Sequence, residues 1–262
     1  MTTQSLESAY VLNIRVSYNC AMEQSVRAFG TILISIVTPI LNEEEDVEQF
    51  LNHLTELKGD FELILVEGGS SDHTIETVER NLEKLSETVT LCEVRTGRAV
   101  QMNAGAARAR GEILLFLHAD CLVPTNTLEL IMQTLRSRGV VGGGFMQRFS
   151  DTDSFLTFVS NFGNLRSRLT KMFFGDSAIF LKKNVFDAIG GYGDSPLLED
   201  VELCRRAKRH GKLVQIDRYV STSPRRYVHH GRISLTAIYV IACFLDLLHS
   251  RPRFLERYIS DR

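Results

Sequence analysis

At 262 residues, with 44% hydrophobic and 24% charged side chains, the chain has an ordinary globular composition and can bury one large α/β domain or two small ones. Its formal net charge of -2 and pI near 6.4 give no basic stripe of the kind that phosphate-backbone binding needs, so no nucleic-acid partner is expected. Cys20, Cys92, Cys121, Cys204 and Cys243 lack CxxC or Cys/His ligand spacing; they read as reduced thiols of a cytoplasmic protein rather than as a zinc site or a disulfide framework.

Residues 1–31 show no basic start followed by an apolar block, and Arg15 interrupts their best candidate stretch, so no signal peptide is expected and the segment is set apart as an N-terminal extension. Strand and helix patterns then alternate: Ile32 to Val37 with Glu43 to Leu57, Phe61 to Val66 with Asp72 to Leu85, Val89 to Val94 with Ala99 to Ala109, and Ile113 to Leu117 with Thr125 to Arg138. Such alternation predicts right-handed βαβ units and a mostly parallel sheet flanked by helices, in a Rossmann-like manner. The first strand is expected to stop at Pro39, leaving Thr38-Pro39-Ile40-Leu41-Asn42-Glu43 as a loop at the carboxyl edge, where ligands bind in such sheets.

The second half is less regular. The glycines of Val140-Val141-Gly142-Gly143-Gly144-Phe145 predict a bend or a close approach of another backbone. A helix is expected over Ser154 to Lys171, a short strand over Ser177 to Leu181, a small helix over Lys183 to Ile189, and another helix from about Leu198 after a Gly/Pro-rich turn. Ile233 to Leu248 is apolar at helical spacing but carries Asp246 and is shorter than the roughly 18 residues of a spanning helix. It reads as a C-terminal helix docked on the domain, with peripheral membrane contact or a partner helix as the alternatives.

Four junctions carry chemistry. In Glu67-Gly68-Gly69-Ser70-Ser71-Asp72 the glycines let a ligand approach the backbone; alternatively, Asp72 is only a helix cap and Glu67 a solvated loop acid. Arg98, with Gln101 and Asn103 one turn on, puts a cation where a phosphate or base could bind, or is a surface charge. His118-Ala119-Asp120 ends a buried strand on a carboxylate suited to a hard divalent cation, with His118 either a second ligand or a hydrogen-bonded rim residue. Glu199-Asp200, followed by Glu202 and Arg205-Arg206, is either a set of helix-dipole complements or a general base with its charged setting.

Together with Gly175-Asp176-Ser177-Ala178-Ile179-Phe180, these segments resemble glycosyltransferase family 2 in order and spacing across roughly Ile32 to Tyr227. Gly97 to Gly105 and Phe116 to Asp120 look most like the bacterial subgroup called radical-SAM/selenodomain-associated transferase 2. The resemblance implies a GT-A fold over residues 32–230, with an irregular acceptor-side half and a C-terminal helical segment over 231–262. It also implies inverting, metal-assisted transfer of a sugar from a nucleotide-diphosphate sugar to an acceptor hydroxyl of unknown identity. On this reading Thr38, Pro39, Asn42, Glu43, Glu67, Gly68, Gly69, Asp72, Arg98, Asn103, Asp176, Glu199, Arg205 and Arg206 line the donor site, Asp120 and His118 hold Mg²⁺ or Mn²⁺, and Asp200 is the base. Two departures from the family pattern are Glu67, where Asp is frequent, and His118, where a first metal-binding acid is common. The rivals are a sugar nucleotidyltransferase, which would need a glycine-rich basic loop where Thr38 to Glu43 stands, and a non-catalytic nucleotide-sugar-binding protein.

Overall fold

A computed structural model describes residues 33–247, apart from 83, 86–87, 95–96, 152 and 194–197; the expected N-terminal extension, the Asp194-Ser195-Pro196 part of the glycine-rich turn and the last fifteen residues lie outside the described residues. The first half builds β1 (Ile34–Ile40), α1 (Val47–Leu54), β2 (Phe61–Glu67), α2 (Thr74–Leu82), β3 (Thr88–Glu93), α3 (Arg98–Arg108), β4 (Ile113–Phe116), β5 (Cys121–Leu122) and α4 (Thr127–Leu135). The second half adds β6 (Val140–Phe149), α5 (Ser154–Thr170), a 3-10 turn (Gly175–Ser177), β7 (Ile179–Lys182), α6 (Lys183–Ala188), α7 (Glu199–Ala207), β8 (Lys212–Thr222), α8 (Arg225–His230) and α9 (Arg232–Leu247).

The eight strands form one sheet in the order β3-β2-β1-β4-β7-β6-β8-β5. Strands β3, β2, β1 and β4 are mutually parallel, β7 is antiparallel to both β4 and β6, and β6 is parallel to β8. Alternation along β2 explains why both faces are covered: Leu63 and Leu65 join Phe50, Leu51 and Leu54 of α1 on one side, while Ile64 and Val66 join Met102 and Ala106 of α3 on the other. Gly105 lets α3 come down onto the sheet, because a Cβ there would overlap Val37 and stand 3.0 Å from Val66 Cγ2.

Two expectations need correction. Strand β1 does not stop at Pro39: it pairs with β2 through Pro39↔Val66 and Ile40↔Glu67. Its other neighbour, β4, accompanies it only as far as Val37↔Phe116, so Pro39 lies where one flank of β1 has no strand partner and its missing N–H costs no ladder bond. The second half is also more ordered than its sequence suggests, since the eleven-residue β8 was not expected at all. Its burial runs irregularly, with Asp217, Arg218 and Tyr219 all exposed, which hides the period-two signal. The glycines of β6 serve close approach: a Cβ on Gly143 would collide with Val214 O of β8, and one on Gly142 with Phe180 O of β7.

Candidate functional site

The carboxyl ends of β1, β2 and β4 lie side by side, and the loops that leave them are knitted together by side chains. Asn42, at φ 54°, accepts through Oδ1 from Ser71 N at 2.9 Å while its own N–H donates to Ser70 Oγ at 2.9 Å. Asp72 Oδ1 accepts from Thr74 N at 3.0 Å and Thr74 Oγ1 at 2.6 Å, an N-terminal cap on α2, and Oδ2 accepts from Glu44 N at 3.3 Å. Glu67 is buried and turns its carboxylate back on its own loop, accepting from Gly69 N at 2.6 Å and from Ser70 N. A Cβ on Gly68 would stand 2.8 Å from Gln101 Nε2 and push it off the bridge it makes to Ile40 O at 3.0 Å and Val66 O at 2.8 Å. Thr38 is fully buried and its hydroxyl has no hydrogen-bond partner among the described residues.

Below this edge is a cluster of acids. Glu43 is pushed up to about 7 by burial and then by Asp120, with Arg225 of α8 opposing as its ion-pair partner. Asp176, on the 3-10 turn, is pushed up to about 6 by burial and again by Asp120, against Arg166. Arg225 also reaches Asp46 Oδ2 at 3.1 Å, and Ser223 N donates to Asp120 O at 3.0 Å, so the chain after β8 closes over the His118-Ala119-Asp120 turn. Strand β5 continues the closure, pairing Cys121 with Thr222.

The second cluster surrounds Asp200, in the first turn of α7. Its carboxyl is buried and pushed up to about 8, first by desolvation and then by Glu199, while Arg98 and the Gly175 backbone N–H pull it down. Oδ1 has no hydrogen-bond partner among the described residues. His118 reaches the same place: its sealed Nε2 also lacks a partner among them, and burial with Arg98 and Arg226 nearby holds the ring well below the usual histidine range, hence neutral. Arg98 stands 3.9 Å from Glu199 Oε1, and the buried Tyr192 phenol is raised well above its usual range by burial and by Asp200.

The tertiary structure thus brings Glu43 and Asp176 within electrostatic reach of Asp120, and Arg98, Glu199 and Asp176 within reach of Asp200, with His118 and Asp200 meeting at Gly175. Glu199 and Asp200 are buried, so they are not solvated dipole complements. Two other expected donor-site residues are engaged elsewhere. Asn103 brackets Tyr192, accepting from its N–H and donating to its carbonyl, each at 2.8 Å. Arg206 Nη1 donates to Ile189 O at 2.6 Å, while Arg205 lies on α7, the helix that carries Glu199 and Asp200. Sequence reasoning missed Tyr192, Arg225 and Arg226. The turn Gly190-Gly191-Tyr192 was one signal; nothing local marks the two arginines, and Arg225 finds Glu43 182 residues away.

The donor set fits a divalent cation of the kind held by one or two carboxylates and substrate phosphates, since Asp120 and Asp176 are like charges crowded in a buried setting. Among the described residues no group of three His, Cys, Asp or Glu forms a ready-made cage.

Comparison with known proteins gives a consistent picture. The family model for Glycosyl transferase family 2 matches residues 35–192. Over 260 residues the chain is 24% identical to Glycosyltransferase AglE of Haloferax volcanii, covering 86% of this chain and 84% of that one. Among solved structures, the mannosyltransferase PcManGT from Pyrobaculum calidifontis, in complex with GDP-Man and Mn²⁺, superposes with a TM-score of 0.68 at 20% identity, over 88% of this chain and 68% of that one. TarS of S. aureus in complex with UDP gives 0.56 at 17% identity, over 74% of this chain and 61% of that one. At such identities these two structures establish the GT-A fold alone.

Proposed function

The chain belongs to glycosyl transferase family 2 and is a glycosyltransferase; on that premise we propose that it transfers a sugar from a nucleotide-diphosphate sugar to an acceptor hydroxyl with inversion, using Asp200 as base. The observation that carries this reading is the state of Asp200: a buried carboxyl pushed up to about 8, with one oxygen unpartnered among the described residues, at the carboxyl edge of the sheet. A carboxylate whose affinity for a proton lies near neutrality is suited to accept one from a hydroxyl.

The acceptor oxygen would attack the anomeric carbon as its proton passes to Asp200, while the bond from that carbon to the diphosphate oxygen breaks and the nucleoside diphosphate leaves with the electron pair. Arg98 lies between Asp200 and Glu199 electrostatically and would hold both the base and the leaving diphosphate in register. Asp120, with Asp176 beside it, would hold a divalent cation, which offsets charge gathering on the diphosphate. Thr38, Asn42 and the Glu67 to Asp72 loop would line the nucleoside end, with Glu67 acting through the backbone shape it fixes.

The same reading keeps residues 32–230 as the transferase domain and 231–262 as a C-terminal segment, puts the protein in the cytoplasm with peripheral membrane contact through α9, and assigns it to the radical-SAM/selenodomain-associated transferase 2 subgroup. PcManGT was solved with Mn²⁺, which favours Mn²⁺ or Mg²⁺ as the ion to try first. The test is a thermal-shift screen of nucleoside diphosphates and their sugars with each ion, followed by a hydrolysis and transfer assay on the ligands that stabilise the chain. A ligand that binds and turns over supports the reading; binding without turnover favours a non-catalytic nucleotide-sugar-binding protein, and no shift by any nucleotide sinks both.

A further inference from the structure

Helix α5 is inside out. Its buried positions are Leu156, Ser160, Asn164 and Ser167, mostly polar, while Phe158, Phe162, Leu165 and Leu169 are 66%, 56%, 55% and 76% exposed. Spaced four, three and four residues apart, the exposed four form one stripe about 60° wide around a helix of about 3.6 residues per turn. What fastens the helix is hydrogen bonding rather than apolar burial: Asn164 brackets the backbone of Gln147 on β6, accepting from its N–H at 2.8 Å and donating to its carbonyl at 2.7 Å, and Ser160 Oγ donates to Gln147 Oε1 at 3.0 Å. A helix that spends its polar side on its own sheet and turns two phenylalanines and two leucines outward is built to have those four covered.

Helix α9 extends the surface. Arg232 at its start pairs with Asp153, the N-cap of α5, at 2.6 Å, and Tyr239 lies against Phe174, just beyond the end of α5, with ring centroids 6.0 Å apart. Leu235 is buried beneath it while Ile233, Val240 and Ile241 face outward. Among the described residues no helix is long and apolar enough to cross a membrane.

Charge decides what covers this face. Helix α5 contains no Asp or Glu and carries two arginines flanking the stripe, Arg166 half-buried and Arg168 exposed. A second copy docking α5 against α5 would bring together two helices that each carry Arg166 and Arg168 and no acid. An anionic bilayer has the opposite charge at headgroup depth and hydrocarbon beneath, matching cations around a stripe of Phe and Leu.

We propose that the outer faces of α5 and α9 form an interfacial docking surface for an anionic lipid bilayer, with Phe158, Phe162 and Leu169 entering the headgroup boundary and Arg168 meeting the lipid charge. Four residues after Lys171 the chain reaches Gly175 and Asp176 of the site, so this surface runs directly into the wall of the proposed active site. The inference deepens the membrane contact read for α9, but it stands on the geometry of α5 and holds whatever the transferred sugar.

The test is co-sedimentation of the full chain with phosphatidylcholine vesicles, with and without about 30 mol% phosphatidylglycerol, and light scattering of the free protein. Wild type is expected to pellet with the anionic vesicles, and Phe158→Ser with Phe162→Ser to lower the partition coefficient about tenfold or more. Arg168→Glu should weaken the preference for anionic lipid severalfold. Because the four apolar side chains are exposed, the variants should keep the wild-type Tm; should the double variant unfold, Leu169→Gln gives the same reading at the most exposed position. Absence of vesicle binding overturns the proposal, as does binding that survives these changes. A dimer in solution dissociated by Phe158→Ser with Phe162→Ser, without vesicle binding, assigns the face to a second copy instead.

Discussion

The imidazole of His118 lies against the Gly175 backbone where any other residue would carry its Cβ: such an atom would stand 2.5 Å from His118 Nε2 and 3.1 Å from Asp200 Oδ2. The glycine is the spacer that lets the β4 turn and the α7 base share one small volume. Gly175→Ala should therefore displace both groups, cost about 1–3 kcal/mol in urea unfolding through overpacking, and lower transfer more than that loss explains. Full activity in a folded Gly175→Ala protein would refute the assignment of this volume to the reaction.

Asp200 must be ionised to accept a proton. With its carboxyl pushed up to about 8, the logarithm of kcat/KM should climb with pH and level off near 8. Asp200→Asn should lose about 10²–10⁴ in turnover while donor binding by calorimetry stays near wild type. Retained turnover would remove Asp200 as base.

Glu43, Asp176 and Asp200 are all raised in the folded chain, to about 7, 6 and 8. Between their ordinary values and these raised ones the folded state binds more protons than the unfolded state, so stability declines as pH rises from about 4 towards about 8. Glu62 and Asp72 are lowered and act below that window, in the opposite direction, and His118, held well below its usual range, opposes the three acids up to its unfolded value of about 6.5. Thermal unfolding without ligand should thus peak at mildly acidic pH, and Mn²⁺ with a nucleoside diphosphate should raise Tm more at about pH 8 than at about pH 5. A Tm that rises steadily across that range would contradict the acid cluster.

Asp120 contributes to the raised state of both Glu43 and Asp176. Asp120→Ala should relieve that repulsion, stabilising the ligand-free chain near neutral pH by on the order of 1 kcal/mol, and at the same time abolish the metal-dependent part of nucleotide binding. Calorimetric titration with and without the ion separates the two effects; an unchanged metal dependence would take Asp120 out of the cation site.

Asn103 shows where local reading stops. Its place beside Arg98 at the start of α3 suggested a ligand contact, yet it is committed to both backbone groups of Tyr192, 89 residues on. Its nearness to the carboxyl edge was legible, but its partner was not, because an amide serves a backbone bracket as readily as a ligand.

The parallel half of the sheet and its polar carboxyl edge were determined by the sequence alone, since Phe61 to Val66 and Ile113 to Leu117 are apolar runs that bury both faces and end in polar loops. Periodicity also located α5, but not which side of it faces the sheet. That was decided by Gln147, whose backbone and amide claim Asn164 and Ser160 and leave the phenylalanines outside. The tertiary structure likewise decided that Arg225 would answer Glu43, that β8 would pair with β6, and that Asp200 would be desolvated. Sequence patterns report which residues share a face of one element; burial, strand pairing and the charge state of a carboxyl depend on what a distant part of the chain lays against that face.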